Sequence, residues 1–114
     1  MIPSYWVEEK TIQEMVRVIV KEIDPVRIIL FGSRSRQDYR PDSDIDLLVV
    51  VRAPFDENHN RRKEAVRLWR ALAPFRVPKD ILVFTQDEVD QWSRSLNHIV
   101  AHATREGKTL YETV

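Results

Sequence analysis

The stretch from Val26 to Val51 leaves this chain few folds to adopt. Val26 to Phe31 is an unbroken β-rich run, Gly32-Ser33 makes a turn, a polar segment follows, and Asp44-Ile45-Asp46 opens a second apolar run ending at Val51. Runs this apolar do not alternate, so they suit strands covered on both faces. A chain with two such strands needs a layer of helices on each side of its sheet.

The flanking sequence supplies those helices. Ile12, Met15, Val16, Ile19, Val20 and Ile23 keep a 3.6-residue period, which predicts an amphipathic helix started by Ser4 or Thr11 and ended by Asp24-Pro25. Ser33 to about Gln37 reads as a short helix, and Asp38 to Ser43 as loop. After the polar connection Pro54–Asn60, Arg61 to Ala73 reads as a long helix with Ala65, Leu68, Trp69 and Leu72 facing inward. Pro74 and Pro78 bracket a turn, and Asp80 to Phe84 is a third strand. Gln86 or Asp87 caps a last, interrupted helical region that runs to Arg105, where Gly107 stops it. The expected order is α-β-α-β-α-β-α, an α/β (α+β) fold with a small sheet of three to four strands flanked by helices. Strand two, a long helix and strand three form a crossover, which favours parallel pairing somewhere in the sheet and leaves mixed pairing open.

Composition narrows the rest. At 114 residues and 43% apolar the chain has material for one modest core, so residues 1–114 are expected to be a single domain. Eighteen basic and eighteen acidic residues cancel, which gives no case for bulk binding to nucleic acid or an anionic membrane. No cysteine is present, so disulfides and thiolate zinc sites are excluded. The longest apolar run, Leu47 to Val51, is too short to span a membrane, and the N-terminal sequence is unlike a signal peptide. The expectation is a soluble, cytoplasmic protein.

The chemistry concentrates in the first stretch. Glycine lets a backbone approach a ligand closely, and a turn that opens a helix aims free N–H groups at an anion. Gly32 is one of only two glycines, and Ser33 adds a hydroxyl and an N–H at that point. Asp44 and Asp46 stand at i and i+2, so on a strand their carboxylates share one side, as ligands of one divalent cation must. Asp80 opens strand three with the same polar-then-apolar layout and is the candidate third acid, as metal ligand or general base. A phosphate cradle beside a carboxylate pair points to phosphoryl or nucleotidyl transfer with Mg2+. Arg34, Arg36 and Arg40 lie in or near the cradle, where one of them could hold the triphosphate; a solvated basic turn is the plainer reading. A calcium loop on Asp42, Asp44 and Asp46 fails, because Leu47 stands where glycine is needed and Ala53 where glutamate is needed. His98 and His102 share a helix face at i and i+4, but no third zinc ligand is evident and a partner-facing or surface role is favoured. Trp69 and Trp92 sit at core spacing, and Tyr39 is placed to stack on a base.

Taken jointly, Gly32-Ser33, Asp44-Ile45-Asp46 and Asp80 resemble the minimal nucleotidyltransferases (MNT proteins) of the DNA polymerase β-like nucleotidyltransferase superfamily, over nearly the whole chain. One departure is Gln37, where that family often has glycine. The resemblance implies a mixed sheet flanked by helices, Gly32 and Ser33 on the nucleotide phosphates, Asp44 and Asp46 on magnesium, and Asp80 as ligand or base. It also implies ATP as substrate and a HEPN-domain toxin as partner, whose tyrosine would receive AMP from this chain acting as antitoxin. A binding module that neutralises its partner without turnover is the alternative. The chain has no room for the helical acceptor domain of larger relatives, so a partner protein or a second subunit is expected to bring the acceptor.

Overall fold

The computed structural model describes residues 9–32, 44–95 and 98–113. Within them the chain forms helix α1 (Glu9–Ile23), strands β1 (Arg27–Phe31) and β2 (Ile45–Val51), helix α2 (Arg61–Ala71), strand β3 (Lys79–Thr85), helices α3 (Gln86–Trp92) and α4 (Ile99–Glu106), and strand β4 (Lys108–Glu112). The predicted short helix at 33–37 and loop at 38–43 lie outside the described residues, as does Ser4; Thr11 falls inside α1 rather than capping it.

The sheet is mixed, in the order β3-β2-β1-β4. β1 runs antiparallel to both β2 and β4, and β2 runs parallel to β3 across the α2 crossover. The fourth strand, Lys108–Glu112, is an addition to the three read individually from the sequence, and a register shift between Ile28 and Ile29 interrupts its pairing with β1.

Strand alternation divides the core in two. Ile45, Leu47, Val49 and Val51 of β2 join Ile28, Leu30, Ile81 and Val83 beneath α1 and α2, which contribute Ile12, Met15, Ile19 and Leu68, with Leu72 just past α2. Leu48 and Val50 face the other way with Ile29, against Val89 of α3 and Val100 and Ala103 of α4. β2 is thus buried on both faces, as its unbroken apolar run predicts.

Local chemistry sets the ends of the elements. α1 stops at Asp24, whose left-handed backbone (φ 48°) places its N–H on the Val20 carbonyl before Pro25 bars continuation. Asn60 caps α2 through its side chain, which accepts from the Lys63 N–H at 2.9 Å. The cap of α3 is Thr85, not Gln86 or Asp87: its hydroxyl accepts from the Glu88 N–H while the Glu88 carboxylate accepts from the Thr85 N–H, a reciprocal capping box. Gly107 ends α4 for want of space, since an added Cβ would stand 2.4 Å from both the Ala103 carbonyl oxygen and Ile29 Cγ2.

Three side-chain placements correct the sequence reading. Trp69 is 43% exposed, about 100° around α2 from the buried Leu68, with Lys79 Nζ 5.3 Å from its ring centroid. Trp92 is also exposed and stacks on His98 with ring centroids 4.5 Å apart. His98 is the N-cap of α4, its Nδ1 accepting from the Val100 N–H, whereas His102 sits on the helix 3.9 Å from Glu106. The two histidines therefore make no zinc half-site, because one is committed to capping a helix the other rides on.

Candidate active site

The carboxylates gather where β1 ends and β2 and β3 begin. Antiparallel pairing sets Phe31 opposite Asp46, and the parallel pairing sets Asp46 opposite Asp80. Asp46 precedes Leu48 by two and Asp80 precedes Leu82 by two, so both belong to the face that carries α3 and α4. Those helices pack farther along the strands, against Val50 and Phe84, and Asp80 is left exposed to solvent. Asp44 lies immediately before β2 and is also exposed.

Asp46 is the most constrained of the three. It is half-buried, and burial pushes its carboxyl above the ordinary carboxylate range; the charges of Asp80 and Asp44 push in the same direction. Three acids are thus close enough to feel one another at this end of the sheet. They are not a preassembled cage: among the described residues, no three His, Cys, Asp or Glu side chains are grouped to hold a metal ion.

Gly32 follows directly from β1 with φ +71°, a conformation that side chains rarely adopt. A Cβ there would stand 2.3 Å from Asp46 Oδ2. The sequence argument gave Gly32 a role toward phosphates. The structure adds that this glycine makes room for the Asp46 carboxylate itself, a contact for which the only sequence signal was the rarity of glycine. The other cradle residues read from sequence, Ser33, Arg34 and Arg36, with Arg40 and Tyr39, lie outside the described residues.

The elements behind the site are tied together by Arg61 at the start of α2. Its Nε donates to the Val83 carbonyl at 3.0 Å, its terminal nitrogen pairs with Glu88 of the α3 capping box, and its guanidinium lies over the rings of Phe55 and Phe84. This fixes the crossover against β3 and so helps hold the Asp46–Asp80 register.

Comparison with known proteins agrees with this geometry. Over 51 residues the chain is 45% identical to a protein of Methanocaldococcus jannaschii whose name is "Putative protein adenylyltransferase"; the match takes in 43% of this chain and 51% of that one. The chain thus spans about half the length of the curated relative it matches. Among solved structures it resembles a "putative nucleotidyltransferase" from Sulfolobus solfataricus, with a TM-score of 0.63 at 22% identity over 90% of this chain and 78% of that one. It also resembles a chain of a toxin–antitoxin structure with AMP-PNP, with a TM-score of 0.52 at 24% identity over 89% and 73% of the two chains. At these identities the structural likenesses establish a shared fold. The model of the nucleotidyltransferase domain matches residues 13–108, which take in β1, Gly32, all three carboxylates and most of the sheet, and the chain belongs to that family.

Proposed function

We propose that this chain is a Mg2+-dependent adenylyltransferase that moves AMP from ATP to a hydroxyl of a partner protein, a tyrosine of a HEPN-type toxin, and so acts as an antitoxin in the cytoplasm. Residues 1–114 would work as one catalytic domain. The observation that carries this reading is the contact of Gly32 with Asp46: a phosphate-approach glycine and a metal-binding carboxylate are packed against each other, so that nucleotide and cation would meet at one point. Family membership supports nucleotidyl transfer. The protein acceptor follows the name of the archaeal relative, and the toxin partner follows the sequence resemblance to MNT proteins.

The donor set fits a magnesium site. Oxygen ligands alone are offered, and their mutual repulsion at Asp46 would be offset by a bound cation. Asp44 and Asp46 would hold the ion, with Asp80 beside them. When bound, Mg2+ supplies charge neutralisation to the triphosphate and to the departing pyrophosphate. The remaining work falls to the chain. Gly32 and Ser33 would present N–H groups to the phosphates, with Arg34 and Arg36 as their cationic neighbours. The acceptor oxygen attacks the α-phosphorus in line, its O–P bond forms as the bond to pyrophosphate breaks, and the hydroxyl proton passes to Asp80. The exposure of Asp80 suits a base that must pass its proton on to water.

A second reading is a nucleotide-binding antitoxin that inhibits its partner by binding alone. It is favoured by the lack of a preassembled three-ligand group among the described residues. Intact mass of a HEPN partner after incubation with this chain, ATP and Mg2+ separates the two. Added AMP units that disappear with Asp44→Asn/Asp46→Asn establish the transferase. An unmodified partner in a stable complex establishes binding without turnover.

A further inference from the structure

A groove of about 800 Å3 lies on the opposite side of the sheet from the carboxylates, along the outer surface of α2 and bordered by Glu22 of α1. Its walls carry Arg62, Lys63, Arg67 and Arg70, with Val66 between them. Nothing in the proposed chemistry uses it.

We propose that this groove is a docking site for an acidic amphipathic helix of a partner protein, separate from the site of transfer. Charge is the first argument. The whole chain is neutral, yet among the described residues the side chains of Arg62, Lys63 and Arg70 make no ion pair; Arg67 alone is paired, to Glu22 at 2.8 Å. This cationic strip on a neutral molecule is complementary to a local cluster of carboxylates. The second argument is the apolar floor. Val66 is 41% exposed in the middle of the strip, so an occupant with an apolar ridge would be rewarded. The third is spacing. Arg62, Val66 and Arg70 stand at i, i+4 and i+8, and Lys63 and Arg67 form a parallel row, so two cations lie about 6 Å apart in one row and two lie about 12 Å apart, either side of Val66, in the other. A partner helix with acids at i and i+4 presents carboxylates at the same interval, and rows of this kind interlock between packed helices.

Single-stranded nucleic acid is the competing occupant. It is less suited because base stacking needs an open aromatic face, and Lys79 already lies over the Trp69 ring.

The test uses fluorescence anisotropy with three labelled probes. One is an N-acetylated, C-amidated peptide of about 18 residues, five helical turns, carrying Glu at i, i+4 spacing along a Leu ridge. The second is the same composition scrambled to destroy the amphipathic face, and the third is an oligouridine. The structure calls for binding of the patterned peptide that weakens at least about tenfold with Arg62→Glu/Arg70→Glu, by loss of two attractions and gain of two repulsions. Val66→Asp should weaken it too, and the scrambled peptide should bind worse than the patterned one. Circular dichroism melts that overlay the wild type show that these exposed substitutions leave the fold alone. Equal binding of both peptides would reduce the groove to an ion exchanger and overturn the proposal. Tighter binding of oligouridine, or no binding of the patterned peptide, would overturn it as well.

Discussion

At a single carboxylate, Asp46, the stability of the fold and the proposed chemistry pull in opposite directions. Its burial and the neighbouring charges of Asp80 and Asp44 raise its proton affinity in the folded state. The sign follows by linkage: a raised carboxyl favours the fold fully below the ordinary carboxylate range, and that advantage is lost as pH rises through the raised value. At neutral pH the ionised group works against folding. Asp46→Asn should therefore melt a few degrees higher than the wild type in metal-free neutral buffer, with the gap closing in acid, while nucleotidyl transfer disappears. Added Mg2+ should raise the melting temperature of the wild type and leave the variant nearly unmoved. A variant melting at or below the wild type at neutral pH would refute the repulsion argument. The sequence singles out Asp46 only jointly: two acids at i and i+2 before a β-run are commonly a solvated strand entrance, and the Gly32-Ser33 turn upstream is what makes them candidates. The contact of Asp46 with Gly32 was not legible, because nothing in one sequence says which side chain a turn will lean against.

Among the elements, helix ends were the least legible part. The long periodic helices α1 and α2 came through, since many residues vote for each. α3 has only seven residues, and its cap was assigned one or two positions late because Thr85 also completes the apolar run of β3. Trp69 was placed inward by spacing alone, but Leu68 and Leu72 already fill the face of α2 that meets the sheet. The α3 cap carries its own prediction. Burial pushes the Glu88 carboxyl up, and the Arg61 guanidinium and the Thr85 N–H outweigh it, holding it below the ordinary range. A lowered carboxyl contributes stability that is present above the ordinary glutamate range and fades as pH falls through its lowered value. Glu88→Gln keeps an acceptor for the Thr85 N–H but loses the charge facing Arg61, so it should cost about 0.5 kcal/mol at neutral pH, the worth of a partly solvated ion pair, and flatten the acid side of the stability profile. Urea melts at a series of pH values check both; an unchanged acid limb would remove Glu88 as its cause.

At the scale of the molecule, the mixed sheet with helices on both faces was readable, and the crossover called for a parallel pair somewhere in it, which the structure locates between β2 and β3. The edge strand β4 was hidden because Lys108–Glu112 is short, half-exposed and mostly polar, so its sequence carries little of the signal that marks a buried strand. Its place is set by β1 instead, whose free edge it covers. This hierarchy predicts an order of hydrogen exchange: amides of Leu47 to Val50 in the doubly covered β2 should exchange slowest, and those of β4 markedly faster. Equal protection of the two strands would contradict it.

The register between β2 and β3 has a consequence for how errors are tolerated. A slip of β3 by one residue would swing Asp80 to the opposite face of the sheet and, in the same movement, turn Ile81 and Val83 out of the core beneath α2. No chain can mis-set the distance between its acids without also losing its interior. Folding thus proofreads the candidate site: molecules that pass the test of packing have already aligned the two aspartates.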